Sequence, residues 1–425
     1  MNVPWTFLCV RCGSEYPGLQ VRYRCDCGGT LDVSHDLDRL RGKVSTELFD
    51  QRLGSRDPID RSGVWRFREL VLPLDRQHIA TKPEGNTNLY ESSRVAGFVG
   101  LDSVWLKHEG ENPTGSFKDR GMTCGLSAAR ALGMTRVAVA STGNTSASAA
   151  SYAAEAGMEA IVFIPEGKIA FGKLSQALAY GARTLQIQGD FDAAMAMVQE
   201  VCDAEGIYLL NSVNPFRIEG QKAIGFEILQ DMLWEVPDWI VLPGGNLGNN
   251  SALSKGMVEL KSLGLIDRLP RIAVIQAAGA NPLYQAWHGD GVLKPVKADT
   301  LATAIKIGNP ISFHKSVRGL RACDGVVAQV TDQEIMDAKA QVDAAGIGAE
   351  PASCASVAGM KKLVDQGVIR CDERVCGILT GHLLKDADAV VGYHNNSLAG
   401  IDAQWPNAPV SVAGIEEVMS RLVRG

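Results

Sequence analysis

Short apolar runs alternate with longer, more polar stretches along most of this chain. The runs fall at 137–140, 160–164, 184–187, 208–210, 239–242, 272–275 and 375–379. A short apolar block bounded by turn residues reads as a buried strand. The stretches between them are long enough for helices. One helix has explicit signals: Thr331 and Glu334 form a capping box, and the following pattern runs to Ala345, where Gly346 and Gly348 stop it. Strands alternating with helices predict an α/β fold with mainly parallel, doubly wound sheets. Two segments depart from that rhythm. Residues 1–34 hold a cluster of four cysteines, and 36–66 is polar, mostly helical and expected to wrap the body. There is no internal repeat or low-complexity tract.

Candidate chemistry sits in the turns that follow the strands. After 137–140 comes Ser141-Thr142-Gly143-Asn144-Thr145-Ser146-Ala147-Ser148, in which five of eight residues carry a hydroxyl. A helix cap needs only one such residue. Strand, polar glycine loop and helix start together make an anion site, since free backbone N–H groups and the helix dipole face the loop. After 239–242 comes Pro243-Gly244-Gly245-Asn246-Leu247-Gly248-Asn249-Asn250, whose three glycines let the backbone wrap a phosphate. Its spacing is neither the dinucleotide fingerprint nor a nucleotide P-loop. Thr380, after 375–379, points into the crevice at the carboxyl ends of the strands. Upstream, Asn112-Pro113-Thr114-Gly115-Ser116-Phe117-Lys118-Asp119 places a lysine just inside a helix start. A rigid turn there can aim the amine at a carbonyl, and burial can lower its pKa for Schiff-base chemistry.

These motifs occur in an order that resembles the threonine synthases, pyridoxal-phosphate enzymes of the fold that includes tryptophan synthase β and serine dehydratase. Glu350-Pro351-Ala352-Ser353 and Leu379-Thr380-Gly381-His382 match as well. Two further segments look like threonine synthase in particular: Asn211-Ser212-Val213-Asn214-Pro215-Phe216-Arg217-Ile218-Glu219-Gly220-Gln221-Lys222 and Ala304-Ile305-Lys306-Ile307-Gly308-Asn309-Pro310. The resemblance runs from about residue 80 to about 390. It implies a two-lobed catalytic domain over 35–425, with a smaller mobile lobe at about 122–212.

The resemblance also implies roles. Lys118 would hold the cofactor aldehyde and Asn144 its ring hydroxyl. Gly244, Gly245, Asn246, Leu247, Gly248 and Asn249 would cradle the cofactor phosphate. Thr380 would face the ring nitrogen, where a neutral hydroxyl favours elimination over transamination-like chemistry. Ser141, Thr142 and Thr145 would hold the substrate carboxylate. Asn211, Ser212 and Arg217 would grip the substrate phosphate, a task suited to a guanidinium; Lys222 and Lys306 are weaker candidates. His382 is expected to pack rather than position the ring. The implied reaction turns O-phospho-L-homoserine and water into L-threonine and phosphate. Two alternatives stay open: cysteate synthase, which takes O-phosphoserine and sulfite, and a non-catalytic pyridoxal-phosphate-binding homologue.

The chain departs from the family in two places. Gly85-Asn86-Thr87-Asn88-Leu89 lacks the usual proline, which is expected to loosen one turn. Leu383 stands where a glycine is usual and is expected to reshape the pocket edge.

Composition narrows the class. The 425 residues are 46% hydrophobic with a net charge of −6, which suits a sizeable core and argues against a general nucleic-acid binder. No apolar run approaches the ~20 residues that span a bilayer, and the first residues do not read as an export signal. Six scattered cysteines fit reduced thiols in a cytoplasm, and a homodimer is the default assembly. The other four, Cys9, Cys12, Cys25 and Cys27, suggest a two-knuckle ribbon with tetrahedral Zn²⁺. The second pair is one residue shorter than the usual knuckle, so a metal-free hairpin remains equally open.

Overall fold

The structure, a computed structural model, describes residues 3–141, 143–165, 171–188 and 191–423. The chain begins with a three-stranded antiparallel ribbon, ordered β2-β1-β3, from Trp5–Cys9 (β1), Glu15–Pro17 (β2) and Leu31–His35 (β3). Alternation along β1 buries Trp5, Phe7 and Cys9 on one face. Short helices at Leu37–Leu40, Thr46–Leu53 and Pro58–Arg61 then lead to the body.

Leu89–Glu91 (β4) and Val104–His108 (β5) open the larger sheet. Arg136–Ala140 (β6), Glu159–Pro165 (β7), Arg183–Ile187 (β8) and Tyr208–Leu209 (β9) form a separate four-stranded sheet, all parallel, ordered β8-β7-β6-β9. Trp239–Pro243 (β10), Arg271–Ala277 (β11), Val326–Val330 (β12) and Val375–Leu379 (β13) complete the larger one. Its order is β12-β11-β10-β13-β5-β4, parallel except for the edge pair β4–β5. All five residues of β10 and of β13 are buried, as expected for central strands with both faces covered. Every apolar run read as a strand forms one, and the capping box at Thr331 and Glu334 opens a helix at Asp332–Ala344.

Three body strands escape that reading for visible reasons. β4 is a short, half-exposed edge. β12 carries Gln329 in its interior. β5 carries Lys107 and His108, which break the apolar run but are buried all the same. Lys107 Nζ lies 3.1 Å from Glu227 and 2.7 Å from Asp231. Glu227 also meets Arg66 at 3.1 Å and Arg120 at 2.6 Å, and Arg120 reaches Glu109 at 2.6 Å. Together they lower the Glu227 carboxyl far below its ordinary range against the cost of burial.

Two helices, Lys118–Ala131 and Phe216–Asp231, pack closely through glycines. A Cβ on Gly220 would sit 1.8 Å from the Arg120 carbonyl oxygen, and one on Gly121 3.0 Å from that of Arg217. That contact brings Lys118 and Arg217 to one end of the interface. Among the described residues no helix is long and apolar enough to cross a membrane.

The turn lacking its proline is fastened by side chains. Asn86, at φ 49°, accepts from Arg66 at 2.7 Å, and its backbone N–H donates to Glu227 at 2.7 Å.

Candidate active site

The carboxyl ends of both sheets face a cavity of about 820 Å³. Three distant segments meet at its wall through backbone hydrogen bonds. Phe117 N–H donates to the Thr380 carbonyl at 3.0 Å, His382 N–H to that of Gly115 at 3.0 Å, and Glu350 N–H to that of Gly381 at 3.0 Å. Asp119 adds a side-chain tie. It accepts from Thr114 N–H at 2.7 Å, from Thr114 Oγ1 at 2.6 Å and from Ser148 Oγ at 2.5 Å, joining the Pro-Thr-Gly turn to the helix Asn144–Ala156. Burial raises the Asp119 carboxyl to about 6.

Lys118 lies at the cavity wall, half-buried, with its Nζ 3.9 Å from the centre of the Phe117 ring. Desolvation first, then the Arg217 guanidinium, lower its ammonium to about 7, while Glu350 opposes them. A large fraction is therefore the neutral amine near neutral pH. Arg217 is 3% exposed. One guanidinium nitrogen donates to the Leu210 carbonyl at 2.9 Å, and its Nε has no partner. Burial lowers its pKa to about 10. Among the described residues neither cation forms an ion pair.

Most of the residues expected at the site line this cavity: Lys118, Ser141, Asn144, Thr145, Asn211, Ser212, Arg217, Gly245 to Asn249, and Thr380. Thr142 lies outside the described residues. Asn144 donates to Glu350 at 3.1 and 3.3 Å. Thr380 Oγ1 lies 3.0 Å from Ser353 Oγ.

Three expectations need correction, and that for Asn211 gains a structural contact. Gly244 does not line the cavity: its N–H is taken by the Ile275 carbonyl at 2.7 Å, and a Cβ there would meet Val274 at 2.6 Å, so this glycine serves sheet packing. Asn211 lines the cavity, but its amide pairs with the backbone N–H and carbonyl of Ala140, at 2.9 and 3.0 Å, and so fixes the strand ends. Lys222 is buried between Glu219 and Glu259, each at 2.6 Å, and the exposed Lys306 pairs with Asp299 at 2.7 Å; neither faces the cavity. Leu383 does not reshape the pocket edge, because it packs over Gly348, where a Cβ would meet it at 2.4 Å.

The residues fit pyridoxal phosphate. Leu247 takes the left-handed conformation, φ 64°, just before the helix Gly248–Ser262. A Cβ on Gly245 would crowd the Ile305 Cα at 3.2 Å, so the loop approaches its neighbour as only glycine allows. Among the described residues no backbone hydrogen bond uses the N–H of Gly245, Asn246 or Leu247. The buried Asn249 amide has no partner at either end. Free donors at a helix start suit a phosphate.

Sequence reasoning gave no role to Glu350, Gln176, Gln221 or Lys385, all of which line the cavity. Burial raises the Glu350 carboxyl and lowers the Lys385 ammonium. Gln176 donates to the Thr114 carbonyl at 3.2 Å and accepts from Lys385. Glu350 and Gln221 stand in segments that carry the family resemblance, whereas Gln176 and Lys385 left no signal there.

A lysine with a depressed pKa beside a glycine-lined anion loop, between two α/β sheets, defines a class of cofactor enzyme, and comparison with known proteins identifies it. The family model described as "Pyridoxal-phosphate dependent enzyme" matches residues 80–381. Threonine synthase of Methanocaldococcus jannaschii is 45% identical over 386 residues, covering 90% of this chain and 93% of that protein. Threonine synthase of Methanosarcina acetivorans is 49% identical over 389 residues, with 90% and 93% covered. Chloroplastic threonine synthase 2 of Arabidopsis thaliana is 40% identical over 406 residues, covering 92% of this chain and 79% of that one. The fold is shared with the processed form of threonine deaminase isoform 2 from Solanum lycopersicum, at TM-score 0.63 and 20% identity over 79% of this chain and 93% of that one. Maize serine racemase gives 0.62 and 19%, covering 79% and 98%. The chain belongs to the pyridoxal-phosphate dependent enzymes and, within them, to the threonine synthases.

Proposed function

We propose that this enzyme converts O-phospho-L-homoserine and water into L-threonine and phosphate. The observation that carries the reading is Arg217, a buried guanidinium with no ion-pair partner, in the same cavity as a lysine whose ammonium titrates at about 7. An unpaired buried cation is costly unless a ligand anion completes it. One cavity thus offers two anion sites, the 245–249 loop and Arg217, as a phosphorylated substrate and a phosphorylated cofactor require.

When bound, pyridoxal phosphate supplies an electron sink for charge developing at the substrate's Cα and Cβ. The chain's residues do the rest. Lys118 holds the cofactor and moves protons at Cα and Cβ, which needs an amine titrating near the working pH. Asn144, oriented by Glu350, meets the ring hydroxyl, and Thr380, held by Ser353, meets the ring nitrogen. Gly245, Asn246, Leu247, Gly248 and Asn249 hold the cofactor phosphate. Ser141 and Thr145, with Thr142, hold the substrate carboxylate. Arg217 and Ser212 grip the phosphate and stabilise its charge as it leaves Cγ. The segment at about 122–212 acts as the mobile smaller lobe, and the enzyme works as a cytoplasmic homodimer. The closeness of the threonine synthases of known sequence supports this reading.

The test is phosphate release from O-phospho-L-homoserine with the amino-acid product identified. Threonine and phosphate in equal amounts is the expected result. Cofactor-loaded protein that makes no threonine, but makes cysteate from O-phosphoserine and sulfite, overturns it.

A further inference from the structure

Sequence alone left the cysteine ribbon undecided between a metal site and a bare hairpin. The four sulfurs of Cys9, Cys12, Cys25 and Cys27 all lie within 4.8 Å of one another. Cys9 and Cys27 are 3.6 Å apart, and Cys12 and Cys25 are 3.4 Å apart. A tetrahedron with Zn–S bonds of about 2.3 Å has sulfur–sulfur edges of about 3.8 Å. Two separate disulfides would need only two near pairs; here all four sulfurs converge.

The shortened Cys-x-Cys pair is accommodated by its glycines. Gly28, at φ 81°, donates to the Cys25 carbonyl at 2.8 Å, and Cys25 N–H donates to the Gly29 carbonyl at 2.9 Å. A Cβ on Gly29 would lie 2.8 Å from Cys9 Sγ and 3.3 Å from Cys27 Sγ, so this position must lack a side chain for the sulfurs to close. The Arg11 N–H donates to Cys9 Sγ at 3.4 Å, which stabilises a thiolate there. Among the described residues, the other convergence of ligand-type groups, His35, Glu219 and Glu259, already holds the Lys222 ammonium.

The ribbon's inner face rests on the segment that carries Arg217. Tyr23 Oη accepts from the Leu209 N–H at 2.7 Å, capping the open edge at β9 one residue before the carbonyl that anchors Arg217. The Phe7 ring lies 5.2 Å from that of Phe216, the residue before Arg217. His35 Nε2 lies 2.6 Å from Glu219, two residues after it. The ribbon therefore touches both ends of the turn between β9 and Arg217.

We propose that Cys9, Cys12, Cys25 and Cys27 bind one zinc ion, and that the ribbon it staples is a brace holding the 208–217 edge and the Arg217 guanidinium in place. Four thiols lose their protons as four Zn–S bonds form, and no electron moves. Three contacts set by a rigid ribbon, rather than by a fraying one, fix where the guanidinium sits. Arg217 is the substrate-binding group; Tyr23 and Phe7 are positioning residues. The link to substrate affinity rests on the proposed function, whereas the metal and the brace do not.

The experiment uses the purified full chain with its cofactor. Metal analysis should find one zinc per chain, and cobalt in its place should give thiolate charge-transfer bands. No metal, iron instead of zinc, or two disulfides overturns the site. Stripping the zinc with a chelator should speed hydrogen exchange across 208–217 by about tenfold or more, reversed by added zinc. Tyr23→Phe keeps the ion and should loosen the same amides. Unchanged exchange in both overturns the brace. kcat/KM for O-phospho-L-homoserine should fall on stripping; an unchanged kcat/KM overturns the link to Arg217. A protein inactive on that substrate when zinc-loaded sinks the proposed reaction, while the zinc and exchange results still decide the brace.

Discussion

Arg120 and Arg217 lie on neighbouring helices, both almost wholly out of solvent, yet their surroundings are opposite. Arg120 is wrapped by Glu109 and Glu227, with Arg66 and Lys107 sharing the second carboxylate. Its pKa is raised by those carboxylates despite the desolvation that opposes them. Arg217 has a backbone carbonyl and an unpartnered Nε, and its pKa is lowered. The first region is finished within the chain; the second is completed only by something the chain does not supply. Lys118, two residues from Arg120, belongs with Arg217. Buried charge by itself therefore does not mark a site. Buried charge without a counter-charge, at a cavity wall, does.

Substitutions can break this contrast. Lys118→Ala should abolish turnover and the cofactor's visible absorbance while thermal unfolding stays cooperative; a variant keeping turnover and absorbance would sink the role given to this lysine. Arg217→Met should lower kcat/KM for the phosphorylated substrate by roughly 30- to 1,000-fold, about 2–4 kcal/mol. Its melting temperature should hold or rise, because no carboxylate is left unpaired. Glu227→Gln should behave in the opposite way, losing about 3–5 kcal/mol of unfolding free energy in denaturant titrations with KM little changed. If Arg217→Met proves the destabilised variant and Glu227→Gln the stable one, the contrast is wrong.

pH separates the two regions more gently. The Lys118 ammonium sits at about 7 against an ordinary 10.5. Cofactor uptake by stripped protein should therefore rise through pH ~7 and level off near pH ~8, as the amine becomes neutral. A rate still climbing toward pH 10 would show an ordinary lysine. Between these two values the folded protein binds fewer protons than the unfolded chain, so this group makes stability rise with pH across that window. Glu227 is also shifted downward, but by cations that favour its charged form, so its window lies in acid. Its contribution is present above the ordinary carboxylate range and lost only as strong acid protonates it in the folded state.

Much of this was legible in the chain because open α/β sheets put ligands where strands end. The Ser141, Gly245 and Thr380 loops each follow an apolar run and each reaches the cavity. What stayed hidden depends on distance in three dimensions. Gln176 and Lys385 come from segments more than two hundred residues apart, with no local pattern to pair them. Lys107 kept its strand from reading as an apolar run, yet it is a buried partner of Glu227. Gly244 shares its motif with Gly245, and only the sheet behind it shows that its N–H is already taken. Lys222 stood in a persuasive motif, but one turn of helix carries it from the cavity into a pair of carboxylates.

The Asn249 amide has a last consequence. Both its ends, the Arg217 Nε and the Gln221 Oε1 are buried without partners. Each such group raises the free energy of the protein before anything binds, and each is relieved by a ligand that meets it. Ligation then adds stability by mass action, about 2.7 kcal/mol at a hundredfold excess over Kd. Molecules made when the vitamin-derived cofactor is scarce would open more often and be degraded sooner. Cofactor supply would thus set the lifetime of this fold as well as its activity.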